Sequence, residues 1–143
     1  MINDNKVGIA MEIVMYQATY LESLNVLLNE AFSVLKVAKA KDDDIELVAV
    51  KSGEVVGYLA LNRCIDTVTG SSYFHVNYVC VKEAFQGQGI ASLLFDRVFS
   101  ICKQEHISYL ELTSNPKRTA AHHLYHKLGF CQRETTVFRK ELV

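Results

Sequence analysis

Glu12 to Ala18 alternates apolar and polar positions, which predicts a first strand. Behind it, Leu24, Leu27, Leu28, Ala31 and Phe32 recur at helical spacing. Thr19 is placed to cap that helix, with Glu22 three residues on to complete a capping box. Val34 to Asp44 has a weaker pattern, read as a short second helix running into the acidic turn Asp42-Asp43-Asp44. The period then changes to that of a sheet. Ile45 to Val50 and Val55 to Cys64 are β-rich runs joined by Lys51-Ser52-Gly53-Glu54, a hairpin signal. Thr69-Gly70-Ser71-Ser72 turns the chain again into Tyr73 to Val81, so the middle of the chain reads as an antiparallel meander.

After Val81 the helical period returns in Ile90, Leu94, Val98 and Ile101, with Ala91, Phe95 and Cys102 beside them. Ser108 to Thr113 is another strand. Asn115-Pro116 is predicted to open a further helix, with proline at its first position and Ala121, Leu124 and Leu128 along one face. Gly129 suits the left-handed residue past its end, and Phe130 to Arg133 and Thr136 to Leu142 finish the chain as strands. The order is β-α-(short α)-β-β-β-α-β-α-β-β. It predicts an α+β fold with one βαβ crossover late in the chain.

Composition adds limits. A chain of 143 residues fits one domain, residues 1–143, with 1–10 as a loose leader and Met11 an alternative start. The net charge of −1, from 15 basic and 16 acidic residues, argues against nucleic acid as the main partner. No apolar run approaches a membrane span, and Met1 to Ala10 lacks the build of a signal peptide. Cys64, Cys80, Cys102 and Cys131 have no metal-site spacing and sit in apolar segments. They predict buried free thiols in a reducing compartment, hence a cytoplasmic protein. Oligomeric state is left open, a homodimer included.

The chemistry concentrates between the third strand of the meander and the helix after it. In Gln86-Gly87-Gln88-Gly89-Ile90-Ala91 two glycines let the backbone reach positive φ and approach a ligand. The helix start behind them offers outward N–H groups and the positive end of a dipole, a site for an anion such as pyrophosphate. A glycine pair that merely makes a tight turn reads equally well from these residues alone. The nucleoside-triphosphate loop fails, because Ile90 stands where lysine is needed. The dinucleotide fingerprint lacks its third glycine at Ser92. Glu111 does fall near the ribose-binding acid, but that fold needs several βαβ units and this chain offers one.

This loop resembles the Gln/Arg-x-x-Gly-x-Gly/Ala signature of the GNAT (GCN5-related N-acetyltransferase) superfamily. Asn115, Ala121, Tyr125, Gly129 and Phe130 are similar to that family's Asn, Ala, Tyr and Gly-Phe positions, and the match runs from about Val76 to Phe130. The resemblance implies the α/β/α-layered acyl-CoA N-acyltransferase fold, with a mixed, mostly antiparallel sheet flanked by helices. It implies acetyl-CoA as cosubstrate, an amine acceptor, direct transfer in a ternary complex and no metal. By the same resemblance the backbone of Val79, Cys80 and Val81 pairs with the pantetheine arm like an added strand. One of the N–H groups of Val79 or Cys80 polarises the thioester carbonyl. Gln86, Gly87, Gln88, Gly89, Ile90 and Ala91 hold the pyrophosphate, Asn115 bonds the arm, and Tyr125 protonates the departing thiolate.

Each of these residues also has a plainer reading. Tyr125 can be a core tyrosine, Asn115 a helix cap, and Lys117 and Arg118 solvated charges where a 3′-phosphate contact is the alternative. His122 and His126, at i and i+4, read as surface histidines rather than metal ligands, and Cys80 as a structural thiol. Asp42-Asp43-Asp44 reads as a solvated turn. Many relatives carry a glutamate on the strand holding Asn77; Asn77 and Tyr78 cannot supply that carboxylate. His75, Glu30 and Glu111 are candidates for the base by side-chain type. The alternatives to an N-acetyltransferase are a transferase for a longer acyl-CoA and a non-catalytic acyl-CoA sensor.

Overall fold

The computed structural model describes residues 11–33 and 44–143. The expected leader and the expected second helix at 34–44 lie outside these residues, apart from Asp44. The strands are β1 (Glu12–Met15), β2 (Ile45–Lys51), β3 (Glu54–Ile65), β4 (Ser72–Val81) and β5 (Tyr109–Leu112). The helices are α1 (Leu21–Phe32), α2 (Ile90–Gln104) and α3 (Thr119–Lys127). One compact unit ends at Thr113 and contains the sheet, α1 and α2; the other is Ser114–Val143.

The five strands lie in the order β1-β2-β3-β4-β5. Every pairing is antiparallel except β4 with β5, which is parallel and bridged by α2. The β2–β3 hairpin turns at Ser52 and Gly53, whose φ values of 51° and 79° give the primed turn that matches strand twist. Two irregularities shape the sheet. One falls between the pairs Ala49↔Gly57 and Val50↔Val55, the other between Tyr58↔Cys80 and Ala60↔Asn77. At the second, β4 carries an extra residue and Tyr78 adopts φ 56°.

Because side chains alternate along a strand, each face has its own lining. Gly57 faces α2: a Cβ built there would stand 3.0 Å from Ile90 Cγ2, 3.2 Å from Ala49 Cβ and 3.3 Å from Leu94 Cδ1. A lone glycine inside a strand thus marks the close seat of a helix on the sheet. Ile90, Leu94, Phe95, Val98 and Ile101 form the buried stripe of α2. On the opposite face Leu24, Leu27 and Leu28 of α1 pack with Val48, Val50, Val55, Tyr58 and Cys80. Each such aliphatic side chain contributes about 1.5–3 kcal/mol on burial, so both helices are held by their stripes.

Several expectations are corrected. α1 begins at Leu21 with no side-chain cap; Thr19 lies in a preceding 3₁₀ turn, so the capping box does not form. Ala31 is exposed. α3 begins at Thr119, not Pro116, because Asn115 Oδ1 accepts the Lys117 N–H at 2.8 Å and its carbonyl accepts the Arg118 N–H at 3.0 Å, closing a turn first. Phe130 to Arg133 and Thr136 to Leu142 form no strands, and Val137 and Phe138 are 71% and 91% exposed. Alternation marks what a strand can bury, but a strand exists only where a ladder receives its backbone. Of the cysteines, all free, Cys80 is buried, Cys64 and Cys102 are half-buried and Cys131 is exposed, since its segment joins no core. Among the described residues no helix is long and apolar enough to cross a membrane.

Candidate acyl-CoA site

β4 runs directly into the glycine-bearing loop. A 3₁₀ turn at Glu83–Phe85 follows the strand, closed by Phe85 N–H to the Lys82 carbonyl at 2.8 Å. The Lys51 ammonium lies 5.2 Å from the centre of the Phe85 ring, tying this turn to the β2–β3 hairpin. Gln86 then donates its side-chain N–H to the Val81 carbonyl at 3.0 Å, fastening the loop to the end of β4. Gly87 and Gly89 take φ 79° and 83°, the left-handed region that costs other residues energy. Around both, a Cβ would meet nothing within 4 Å, so their role is conformational and not steric.

Gly89 is the N-terminal boundary of α2, with no side-chain cap. The first intrahelical bond there runs from Leu93 N–H to the Gly89 carbonyl at 3.1 Å. The N–H groups of Ile90, Ala91 and Ser92 therefore precede the helical ladder, and the helix dipole adds to their positive potential. Gln86 to Gly89 are exposed while Ile90 is buried. An exposed loop backbone leading into a helix start whose first N–H groups lie outside the ladder is an arrangement that can receive an anion.

Beside this loop the sheet opens. β5 pairs with β4 only over Tyr73–Val76, so the ladder between them ends before Val79, Cys80 and Val81. Val79 and Cys80 are buried, at 8% and 6% exposure, and Val81 is half-buried. Asn115 and Tyr125 belong to the other unit. Asn115 is exposed, with one side-chain oxygen lone pair used in its own turn. Tyr125 is buried and meets Phe130 edge-on at 5.8 Å, while Phe130 N–H bonds the Tyr125 carbonyl at 2.9 Å around Gly129, at φ 95°.

The candidate bases separate by geometry. Glu30 is engaged by Lys82 at 3.8 Å, and the same ammonium takes Glu54 at 3.3 Å. His75 lies directly opposite Asn62 on β3 and Glu111 on β5, which puts all three on the α1-bearing face. Asn77, on that face too, donates a hydrogen bond to the Asn62 side chain. In the second unit, His122 is half-buried and its Nε2 is enclosed without a hydrogen-bond partner among the described residues, correcting its surface assignment; Ser114 Oγ shares that state. His126 is exposed.

One group escaped the sequence reading: Tyr58 donates a hydrogen bond to Glu46 Oε1 at 2.6 Å. Burial, that bond and the charge of Glu46 push the Tyr58 hydroxyl far above the ordinary tyrosine range, so it stays a donor. Their separation in sequence gives no local signal, and only the β2–β3 register brings them together.

Residues 13–130 match the model of the acetyltransferase (GNAT) family. The chain belongs to that family. The matched span covers the whole sheet except Glu12, the glycine loop and α3. None of the curated proteins matches the sequence. Among solved structures, it is similar to an aminoglycoside acetyltransferase from an uncultured soil metagenomic sample, at 20% identity and TM-score 0.81, over 94% of this chain and 99% of that one. A ribosomal-protein-alanine N-acetyltransferase from Brucella melitensis biovar Abortus 2308 aligns at 19% identity and TM-score 0.79, over 92% and 99% of the two chains. AAC(6′)-Iy, bound to the bisubstrate analogue CoA-S-monomethyl-acetylneamine, aligns at 19% identity and TM-score 0.75, over 94% and 99%. These likenesses establish the GNAT fold.

Proposed function

We propose that this GNAT protein transfers acetyl from acetyl-CoA directly to a primary amine of a small molecule or peptide. The observation that carries the reading is the glycine cradle: two left-handed glycines, a side-chain latch from Gln86 and a helix start whose first bonded donor is Leu93. The pyrophosphate of coenzyme A rests on the N–H groups from Gly87 to Ala91. The pantetheine arm follows Val79 to Val81, where the β5 ladder has ended, and Asn115 holds it with its remaining polar atoms. Family membership and the CoA analogue in AAC(6′)-Iy support acetyl-CoA as the cosubstrate.

In the reaction the amine nitrogen attacks the thioester carbonyl, whose oxygen gains charge against an N–H of Val79 or Cys80. The C–S bond then breaks, and Tyr125 gives its proton to the departing thiolate. The proton shed by the amine passes to His75, which Glu111 and Asn62 flank in register. The residues form one catalytic domain, in the cytoplasm, where acetyl-CoA and reduced thiols coexist.

The test is release of coenzyme A from acetyl-CoA across a panel of amines, polyamines and peptides. Turnover on at least one acceptor is expected, with N-acetylated product by mass spectrometry. Tight acetyl-CoA binding without turnover on any acceptor would point to an acyl-CoA sensor. Absence of coenzyme A binding would remove the proposal altogether.

A further inference from the structure

β4 uses one residue for something other than pairing. The register passes from Ala60↔Asn77 to Tyr58↔Cys80, so Leu59 of β3 stands opposite two residues, Tyr78 and Val79. Val79 is buried, while Tyr78 is 54% exposed. On either side of them Asn77 and Cys80 belong to the α1-bearing face, Asn77 bonded to the Asn62 side chain and Cys80 packed in the α1 core cluster. Tyr78 joins that face. Its ring meets Phe32, the last residue of α1, edge-on at 5.2 Å, and Phe32 packs against the same cluster. The bulge therefore puts two consecutive side chains, Asn77 and Tyr78, on one face, where an unbroken strand would send the second to the other side.

That placement is strained. Tyr78 takes φ 56°, a conformation that glycine or asparagine adopts with less penalty than a bulky aromatic residue. Such strain persists only where the surrounding structure holds it, and it collects at ligand-contacting positions. Covalent connection fixes what lies beside the ring. The amide joining Tyr78 to Val79 carries the Val79 N–H, one of the two donors proposed for the thioester oxygen. His75, the proposed proton acceptor, is three residues back on the same strand and face, about 10 Å along it. An amine that reacts between that donor and His75 passes the Tyr78 ring. Glu30, two residues before Phe32 on α1, is held by Lys82 at 3.8 Å, so the ring pair gives this edge its aromatic character.

We infer that Tyr78, braced by Phe32, is an acceptor-selecting residue and favours an amine that carries an aromatic group close to its nitrogen. The inference rests on the acetyltransferase reading for the position of the reacting amine. A ring fixed before the acceptor arrives loses little freedom on binding, and edge-on or offset stacking separates a flat group from a hydroxylated chain.

The experiment measures equilibrium binding of 2-phenylethylamine, 2-cyclohexylethylamine and ethanolamine to the full chain saturated with coenzyme A. The phenyl amine is expected to bind about tenfold tighter than ethanolamine, with the cyclohexyl amine between them. Tyr78→Asn suits the left-handed backbone but removes the ring; it should shrink that ratio to about twofold while coenzyme A affinity stays unchanged. Tyr78→Phe should keep the ratio, because the contact is made by the ring and not the hydroxyl. Phe32→Leu keeps α1 packed but removes the brace, and should reduce the ratio about threefold. No preference in the unmodified chain, or a preference that survives Tyr78→Asn, overturns the inference. If Tyr78→Asn disturbs the bulge, seen as a fall in coenzyme A affinity, an unchanged ratio in Phe32→Leu overturns it. A missing preference with coenzyme A bound strikes this inference alone, whereas absence of coenzyme A binding by the unmodified chain overturns the acetyltransferase reading with it.

Discussion

The two faces of one sheet solve different problems. Beneath α2 the lining is apolar and tightly seated: Leu47, Ala49, Leu59, Leu61, Phe74 and Val76 are buried, and Gly57 lets the helix approach. That face fixes where the first turn of α2 ends, and so where its N–H groups point. The opposite face is apolar only under α1. Further along it carries Glu46, Asn62, His75, Asn77 and Glu111, all less than fully buried. A rigid side aims the backbone donors, and a wetter side supplies the titratable groups. On the proposed reading, the difference separates binding of the cofactor by main chain from proton handling by side chains.

The sharpest way to break this division is to remove the proposed proton-handling groups, His75 of the wetter face and Tyr125 of the other unit. His75→Ala and Tyr125→Phe should each lower kcat by about 10²-fold or more, the usual scale for a positioned acid or base. Coenzyme A affinity, read by calorimetry, should not move. An unchanged kcat in either variant would remove that residue's assignment. A cofactor affinity that fell in parallel would blur the two faces into one.

The complementary cut is on the dry face. Gly57→Val drives carbon atoms into Ile90, Ala49 and Leu94, where even a Cβ has 3.0 Å. Overpacking of this kind costs about 1–3 kcal/mol, which lowers Tm by about 3–10 °C in a chain of this length. Because α2 must shift to relieve it, coenzyme A affinity should fall as well. Stability lost with cofactor affinity intact would uncouple the helix seat from the cradle.

The smallest effect is expected far from both, at the β3–β4 turn. Asp66 Oδ1 accepts the N–H groups of Thr69 and Val68, each at 2.9 Å. Those bonds, Thr69's first, hold its carboxyl below the ordinary carboxylate range. The sign follows directly: folding favours the ionised form, so this stabilisation is present above the unfolded carboxylate pKa and is lost as pH falls through the lower folded value. Asp66→Asn should therefore flatten the acid limb of a stability-against-pH curve slightly and leave activity near neutrality alone. A change in kcat would show that the turn reaches the site.

How far the sequence foretold this depends on whether each signal was local. Gln86 to Ala91 was legible because the glycines, the strand before and the helix after lie within one short stretch. The stripe of α2 was legible for the same reason. The start of α3 was misplaced because Asn115 spends its side chain on the Lys117 N–H, a competition that helix rules resolve only by odds. The terminal strands were misplaced because alternation at Thr136 to Leu142 cannot say whether a partner ladder exists. Glu46 with Tyr58, and His75 with Glu111, depend on register between strands. The irregularity at Val55–Gly57 sets the first register and the parallel β4–β5 ladder the second, and neither is written in one short stretch of sequence.

The central claim is that main-chain N–H groups at the start of α2 bind the pyrophosphate. It is tested most directly by titrating coenzyme A into the wild-type chain and Gly89→Ala. Alanine at φ 83° meets no steric neighbour but strains the turn by about 1 kcal/mol, so the loop relaxes and its donors misalign. The account predicts that affinity falls about tenfold or more while Tm changes by only a few degrees. Equal affinity in the two proteins would contradict it.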